Sequence, residues 1–174
     1  IGGDSPSTDG TEPSHMHSKD DLSFRRGYEF WLMSEAKRRN PDIKLAGLSW
    51  AWPGWVGNDP KTGQPGARNS PYSFPKQSAG YILQWINGVK SQYNLSVDYL
   101  GVWNEQRADP TYVKTLRSLL NAGGWKSTKI VAADRSSEGC RSMQQDPNCP
   151  AAVGVIGVHY SPDANFSSLG GSFT

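Results

Sequence analysis

Between Val97 and Glu105 the chain reads Val-Asp-Tyr-Leu-Gly-Val-Trp-Asn-Glu, a short and nearly continuous apolar run that opens directly onto an amide and a carboxylate. Such a run reads as a strand buried on both faces, the kind found in parallel sheets covered by helices. Its flanks agree. Ile82, Trp85, Ile86, Val89 and Tyr93 precede it at helical spacing, and Tyr112, Val113, Leu116, Leu119 and Leu120 follow it in the same way. Asp109 and Pro110 supply an N-cap and a first-turn proline for the second helix, and Gly123-Gly124 stops it. A carboxyl group at the mouth of a buried strand sits where desolvation can raise its pKa, as a general acid working near neutral pH requires. The plain alternative is that Asn104 and Glu105 only open the loop before the next helix.

The alternation continues along the chain. Gly2 to Lys19 is polar, has no period and reads as one long loop, a length that in compact domains is usually functional. Phe24, Tyr28, Trp31, Leu32 and Ala36 mark one face of a helix that Pro41 closes, so its aromatics are expected in the core. Ile43 to Trp50 reads as a strand and continues into the aromatic loop Ala51 to Trp55. Gly57 to Pro75 reads as a surface loop. Lys129 to Ala133, ending at Asp134, and Val153 to Val158, ending at His159-Tyr160, complete the strands, with Ile1 to Asp4 as the end of an earlier one.

Strands alternating with helices imply right-handed βαβ units in a parallel sheet, either doubly wound or closed as a (β/α)8 barrel. No Gly-x-Gly-x-x-Gly or Gly-x-x-x-x-Gly-Lys loop follows any strand, so no nucleotide cofactor is expected. Polar and aromatic residues instead sit just past successive strand ends, at Trp50, Asn104-Glu105, Asp134 and His159-Tyr160, as in a barrel with its site on the C-terminal face. A TIM barrel needs about 250 residues, so the 174 residues are expected to form one incomplete domain. An isolated arc of strands with open edges is expected to aggregate or bind ANS.

Composition narrows the partners. The 18 basic and 16 acidic residues are mixed along the chain, which leaves no field to attract nucleic acid or an anionic membrane. No apolar run approaches the roughly 20 residues of a membrane span. The first residues lack both an initiator Met and a signal peptide, and read as a cut from something longer. His15 and His17 form a His-x-His pair, but two ligands on an irregular loop without a third make a poor metal site, so none is expected. Cys140 and Cys149 lie close enough for a local disulfide or are two unrelated thiols. Two sequons, at Asn94 and Asn165, lean with the disulfide toward an oxidising, lumenal compartment.

Specific runs then resemble a known family. Ile1-Gly-Gly-Asp, Thr8-Asp-Gly-Thr-Glu-Pro-Ser-His-Met-His17, Arg26-Gly-Tyr-Glu, Glu35-Ala-Lys, Arg39-Asn-Pro-Asp-Ile43, Pro53-Gly-Trp55 and Val102-Trp-Asn-Glu105 closely resemble glycoside hydrolase family 59. The match is strong from Ile1 to Trp55, clear from Tyr81 to Leu120 and weaker beyond Asp134. The resemblance implies a partial TIM barrel running from the end of its second strand to just past its sixth. It also implies a retaining β-galactosidase acting on galactosylceramide-like lipids, in a lysosomal or secreted setting. A saposin-like lipid-presenting protein is the partner it suggests.

Residue by residue, the resemblance makes Glu105 the acid/base and Asn104 the amide that binds the sugar hydroxyl beside the reacting carbon. Thr8 and Trp50 match side chains lining the galactose pocket. His159 and Tyr160 match a pair that either touches substrate or only packs behind it. Asp134 matches no catalytic role. Retaining hydrolysis needs a second carboxylate about 5 Å away as nucleophile, expected beyond Thr174; Glu138 follows the wrong strand. The chain alone is therefore expected to be inactive. Three departures bear on the leaving group: a longer Gly57 to Pro75 loop, Gln106-Arg107 where an Arg usually follows the acid/base, and the Cys140 to Cys149 segment in place of a leucine-rich helix. Two rivals stay open. One is another barrel β-glycosidase, glucosylceramidase-like or specific for soluble β-galactosides; the other is a non-catalytic carbohydrate-binding homologue.

Overall fold

A parallel four-stranded sheet organises the described residues. The structure, a computed structural model, describes residues 1–3, 14–66, 68, 70–132, 134, 145–146 and 148–157. The strands are β1 (Ala46–Leu48), β2 (Tyr99–Gly101), β3 (Lys129–Ala132) and β4 (Val155–Ile156), in the spatial order β1-β2-β3-β4 with all pairs parallel. Ile1 extends this order at the outer side of β1. Its amino group donates to Leu48 O at 2.7 Å and its carbonyl accepts from Trp50 N–H at 3.0 Å, the slanted pattern of a parallel pair. The order runs through the described strands without a reversal, whereas a doubly wound sheet reverses at its switch point.

Among the described residues three α-helices alternate with the strands: α1 (Glu29–Arg39) before β1, α2 (Pro75–Tyr93) between β1 and β2, and α3 (Pro110–Ala122) between β2 and β3. α2 starts earlier than its apolar period implies, because Pro75 fits the first turn, where its missing N–H costs nothing. α3 starts as expected: the Asp109 carboxylate accepts from Tyr112 N–H at 2.9 Å, with Pro110 next. The helix-facing layer of the sheet, Gly47, Leu100 and Ile130 in register, is buried and belongs to one core with Ile82, Trp85, Ile86 and Val89 of α2 and Leu116 and Leu120 of α3. Gly47 is required there, since a Cβ would approach the Trp85 ring to 2.8 Å. The opposite face is only half covered. Ala46 is exposed, as is Lys129, and Tyr99, Gly101 and Val131 are intermediate. β2 is thus fully buried on one face, rather than on both as its apolar run implies.

The helix α1 also departs from expectation. Tyr28, Trp31 and Leu32 are 64%, 62% and 59% exposed, and it is Phe30 that is buried. Phe30 stacks on Tyr93 of α2 with ring centroids 5.3 Å apart, and Met33 packs against the same core. The helix carries apolar residues on two faces, and only the Phe30 face meets a partner. Phe24 precedes the helix and lies against Gly88 of α2.

Candidate active site

The C-terminal ends of the strands form a row. Ser49 lies between Ile1 on one side and Asn104 on the other, whose N–H donates to Ser49 O at 2.8 Å. Trp50, Asn104 and Glu105 therefore emerge side by side at the mouths of β1 and β2. Trp50 is 55% exposed, Asn104 is half-buried and Glu105 is exposed. The exposure of Glu105 corrects the expectation of a desolvated carboxyl: its strand is buried, but its side chain is not covered by the described residues.

Glu105 has a backbone φ of +54°, a left-handed conformation that costs a residue with a Cβ about 1–2 kcal/mol. Such a conformation persists where surrounding contacts hold it. Here Asp134, just past β3, accepts from the Glu105 N–H through Oδ2 at 2.8 Å. A carboxylate from one strand end thus fixes the backbone of the carboxylate at the next. The sequence offered one signal for this, an aspartate directly after a strand, but gave no reason to link it to Glu105.

Gly2 and Ser14, which flank residues 4–13 in sequence, converge on one side chain. Tyr81 Oη donates to Gly2 O at 2.7 Å and lies 2.8 Å from Ser14 Oγ. Gly3 lies against the backbone of Ala51 and Trp52, beside the Trp50 mouth. Thr8 itself, His159 and Tyr160 lie outside the described residues.

Beside the row is a cavity of about 310 Å³, lined in part by Trp50, Trp52, Gly54, Asn58, Ser70 and Trp103. Sequence reasoning missed Trp52, Asn58, Ser70 and Trp103 as lining residues, although Trp103 directly precedes Asn104. Behind it stands an aromatic box. Trp52 and Trp103 cross at 90° with centroids 6.4 Å apart, and Tyr72 packs edge-on against Trp103 at 5.6 Å and tilted against Tyr112 at 4.6 Å. Burial pushes the Tyr72 and Tyr112 hydroxyls up from their ordinary pKa, so both stay protonated and serve as packing groups. The Gly57 to Pro75 loop is tied to this frame by Arg68, which pairs with the α3 cap Asp109 at 2.7 Å.

His15 belongs to the core. Its Nε2 lies 3.0 Å from Tyr81 O, its ring packs 4.3 Å from that of Tyr81, and burial pushes its pKa down to about 3, which keeps it neutral. His17 is exposed beside Asp21. Among the described residues, no three His, Cys, Asp or Glu side chains converge to hold a metal. No described helix is long and apolar enough to cross a membrane. Cys149 is a free, buried thiol whose pKa burial raises to about 11, and Cys140 lies outside the described residues. Asn94 is the exposed, left-handed cap of α2; Asn165 lies outside the described residues.

Comparison with known proteins adds the wider frame. The profile described as glycosyl hydrolase family 59 matches residues 1–171. A galactocerebrosidase of Danio rerio is 52% identical over 160 residues, 92% of this chain and 23% of its own length. The Homo sapiens galactocerebrosidase is 45% identical over 161 residues, covering 92% of this chain and 22% of its own. A putative galactocerebrosidase of Caenorhabditis elegans is 37% identical over 161 residues, with 92% and 23% covered. The chain thus spans under a quarter of the length of these relatives.

Proposed function

This chain belongs to glycosyl hydrolase family 59, and on that premise we propose that the intact protein is a retaining β-galactosidase of the galactosylceramide-cleaving type. The observation that carries the reading is the Asn104-Glu105 pair at the mouth of β2, beside an exposed Trp50 and held from behind by Asp134. The strand order, sequential and unreversed, supports a barrel arc with its site on the C-terminal face.

In the first step, a carboxylate from outside residues 1–174 attacks the anomeric carbon while Glu105 gives its proton to the leaving oxygen. The glycosidic bond breaks and a covalent galactosyl-enzyme forms. In the second step, Glu105, now a carboxylate, takes a proton from water as the water oxygen displaces the enzyme carboxylate. Asn104 donates to the hydroxyl beside the reacting carbon. Trp50 offers its ring to the apolar face of galactose, and Thr8, His159 and Tyr160 complete the pocket wall. The substrate class follows from the relatives' name: a galactosyl lipid, with a saposin-like protein to present it, in a lysosomal or secreted setting.

Assay of the intact protein on matched β-galactosyl and β-glucosyl substrates tests this. A galactose preference is expected. A preference for glucose would replace the reading with a glucosylceramidase-like one, and no hydrolysis of either with a non-catalytic homologue.

A further inference from the structure

We propose that Asn94 carries an N-linked glycan whose first N-acetylglucosamine ring lies in a second cavity, at the starts of β2 and β3, at the end of the sheet opposite to Glu105. The inference takes the lysosomal or secreted setting proposed above as its premise and is independent of the reaction.

The acceptor comes first. Asn94-Leu95-Ser96 is an acceptor triplet in the connection between α2 and β2. Asn94 and Ser96 are exposed, while Leu95 between them packs against the core. The triplet thus shows its amide and its hydroxyl to solvent and is anchored through its middle residue. Lys90 Nζ donates to Asn94 Oδ1 at 3.0 Å, and since an ammonium accepts no hydrogen bond, the oxygen is the end of the amide that faces it. A lumenal transferase would join Nδ2 to C1 of the sugar and break the bond from C1 to the diphosphate of a polyprenyl-linked oligosaccharide. The amide proton and the polyprenyl diphosphate leave. Oδ1 remains an acceptor, so the Lys90 contact survives the modification.

The cavity beside it fits a sugar ring. It has a volume of about 330 Å³ and is lined in part by Lys90, Ser96, Gly124, Trp125 and Ser127. Lys90 is bonded to Asn94 and Ser96 follows it by two residues, so the amide sits at the cavity rim. Trp125 is half-buried and its ring is fixed: Nε1 donates to Asn87 Oδ1 at 2.8 Å, and Arg117 donates to the Trp125 carbonyl at 2.8 Å. Gly124 stands at a φ of +85°, which favours glycine and keeps the wall beside Trp125 free of a side chain. A sugar ring has a C–H face that packs on an indole and a hydroxyl edge that Ser127 and Lys90 can meet. The volume is at the lower end of small-molecule sites, about 300 to 1,000 Å³, and suits one ring rather than a branched chain. Preformed walls save ordering cost when it docks. The Thr128 hydroxyl donates to Val97 O at 2.8 Å and joins the starts of β2 and β3 at this cavity. β2 runs from here to the mouth that carries Glu105, so a glycan at Asn94 leaves the candidate active site open.

The intact protein, directed into the secretory lumen of a eukaryotic host, tests this. Peptide mapping after peptide-N-glycosidase F in heavy-oxygen water, which turns a linked asparagine into a labelled aspartate, is expected to mark Asn94 in most molecules. Ser96→Ala removes the triplet without touching Asn94, whose left-handed φ of +52° few side chains adopt. This variant is expected to lose the mark and to keep kcat/KM on β-galactosides within about twofold of wild type. Trimming with endoglycosidase H leaves one ring on Asn94. Backbone hydrogen exchange over residues 123–128 is expected to be at least about threefold slower in that form than in Ser96→Ala. An unmarked Asn94 would overturn the site, whatever the activity of the protein. A marked Asn94 with equal exchange over 123–128 would overturn its seat in the cavity. A marked Asn94 with slowed exchange in a protein inactive on every galactoside would support the glycan and overturn only the β-galactosidase reading.

Discussion

Helices α1 and α2 are both marked in the sequence by apolar residues at helical spacing, yet they end in different surroundings. α2 lies between α1 and α3, and Ile82, Trp85, Ile86 and Val89 are all sealed in the core. α1 packs on one side only. Its Phe30 face is buried and its Tyr28, Trp31 and Leu32 face is open. The difference shows that spacing tells which side chains share a face, while burial depends on whether a second element arrives to cover it. α2 packs against both α1 and α3, whereas α1 packs through Phe30 against Trp85 and Tyr93 of α2 and against Phe24.

Substitutions can break or sharpen this contrast. Trp85→Ala should cost about 3–5 kcal/mol of stability in denaturant unfolding, because a large ring that also packs on Gly47 is lost from a closed core. A loss below about 1 kcal/mol would mean α2 is not sealed in this way. The next effect depends on pH. His15 sits on α2 through Tyr81, and its pKa is lowered from 6.5 to about 3 by burial. Below pH 6.5 the unfolded chain binds a proton that the folded chain refuses, so stability is present above that pH and falls as pH drops toward 3. Between pH 7 and pH 4.5 the wild type should lose about 2–3 kcal/mol more than His15→Gln, read from paired unfolding curves. Parallel curves for the two proteins would contradict it.

A smaller effect is expected at the strand mouths that α2 and α3 brace. Asp134→Ala should lower turnover of substrates with poor leaving groups about tenfold, about 1.4 kcal/mol in barrier, since Glu105 loses the acceptor that holds its left-handed backbone. Asp134→Asn keeps an oxygen there and should retain most of the rate, and equal losses for both variants would remove Asp134 as a positioning residue. The smallest effect belongs to the open face of α1. Trp31→Ser should change stability by no more than about 0.5 kcal/mol, and a loss as large as that of Trp85→Ala would mean that something covers this face.

Much of this architecture was legible in the residues. The strands at Ile43 to Trp50, Val97 to Glu105, Lys129 to Ala133 and Val153 to Val158 each contain an observed strand, and Asp109-Pro110 marks the start of α3, because local turn and cap chemistry survives tertiary context. What could not be read depended on distant partners. The exposure of Glu105 is set by what lies above the strand mouth. Its left-handed backbone and the Asp134 acceptor are joined across 29 positions of sequence. The cavity at Trp50 and Trp103 unites residues of two strand ends with a loop that sequence alone gave only as surface.

The central claim is that Glu105 moves the proton in both halves of a double displacement, and kinetics of Glu105→Ala in the intact protein test it most directly. The account predicts a loss of about 10²–10⁴ on β-galactosides with poor leaving groups, a much smaller loss on activated ones, and rescue by azide with release of β-galactosyl azide. An unchanged rate, or an equal loss on all leaving groups with no azide product, would contradict it.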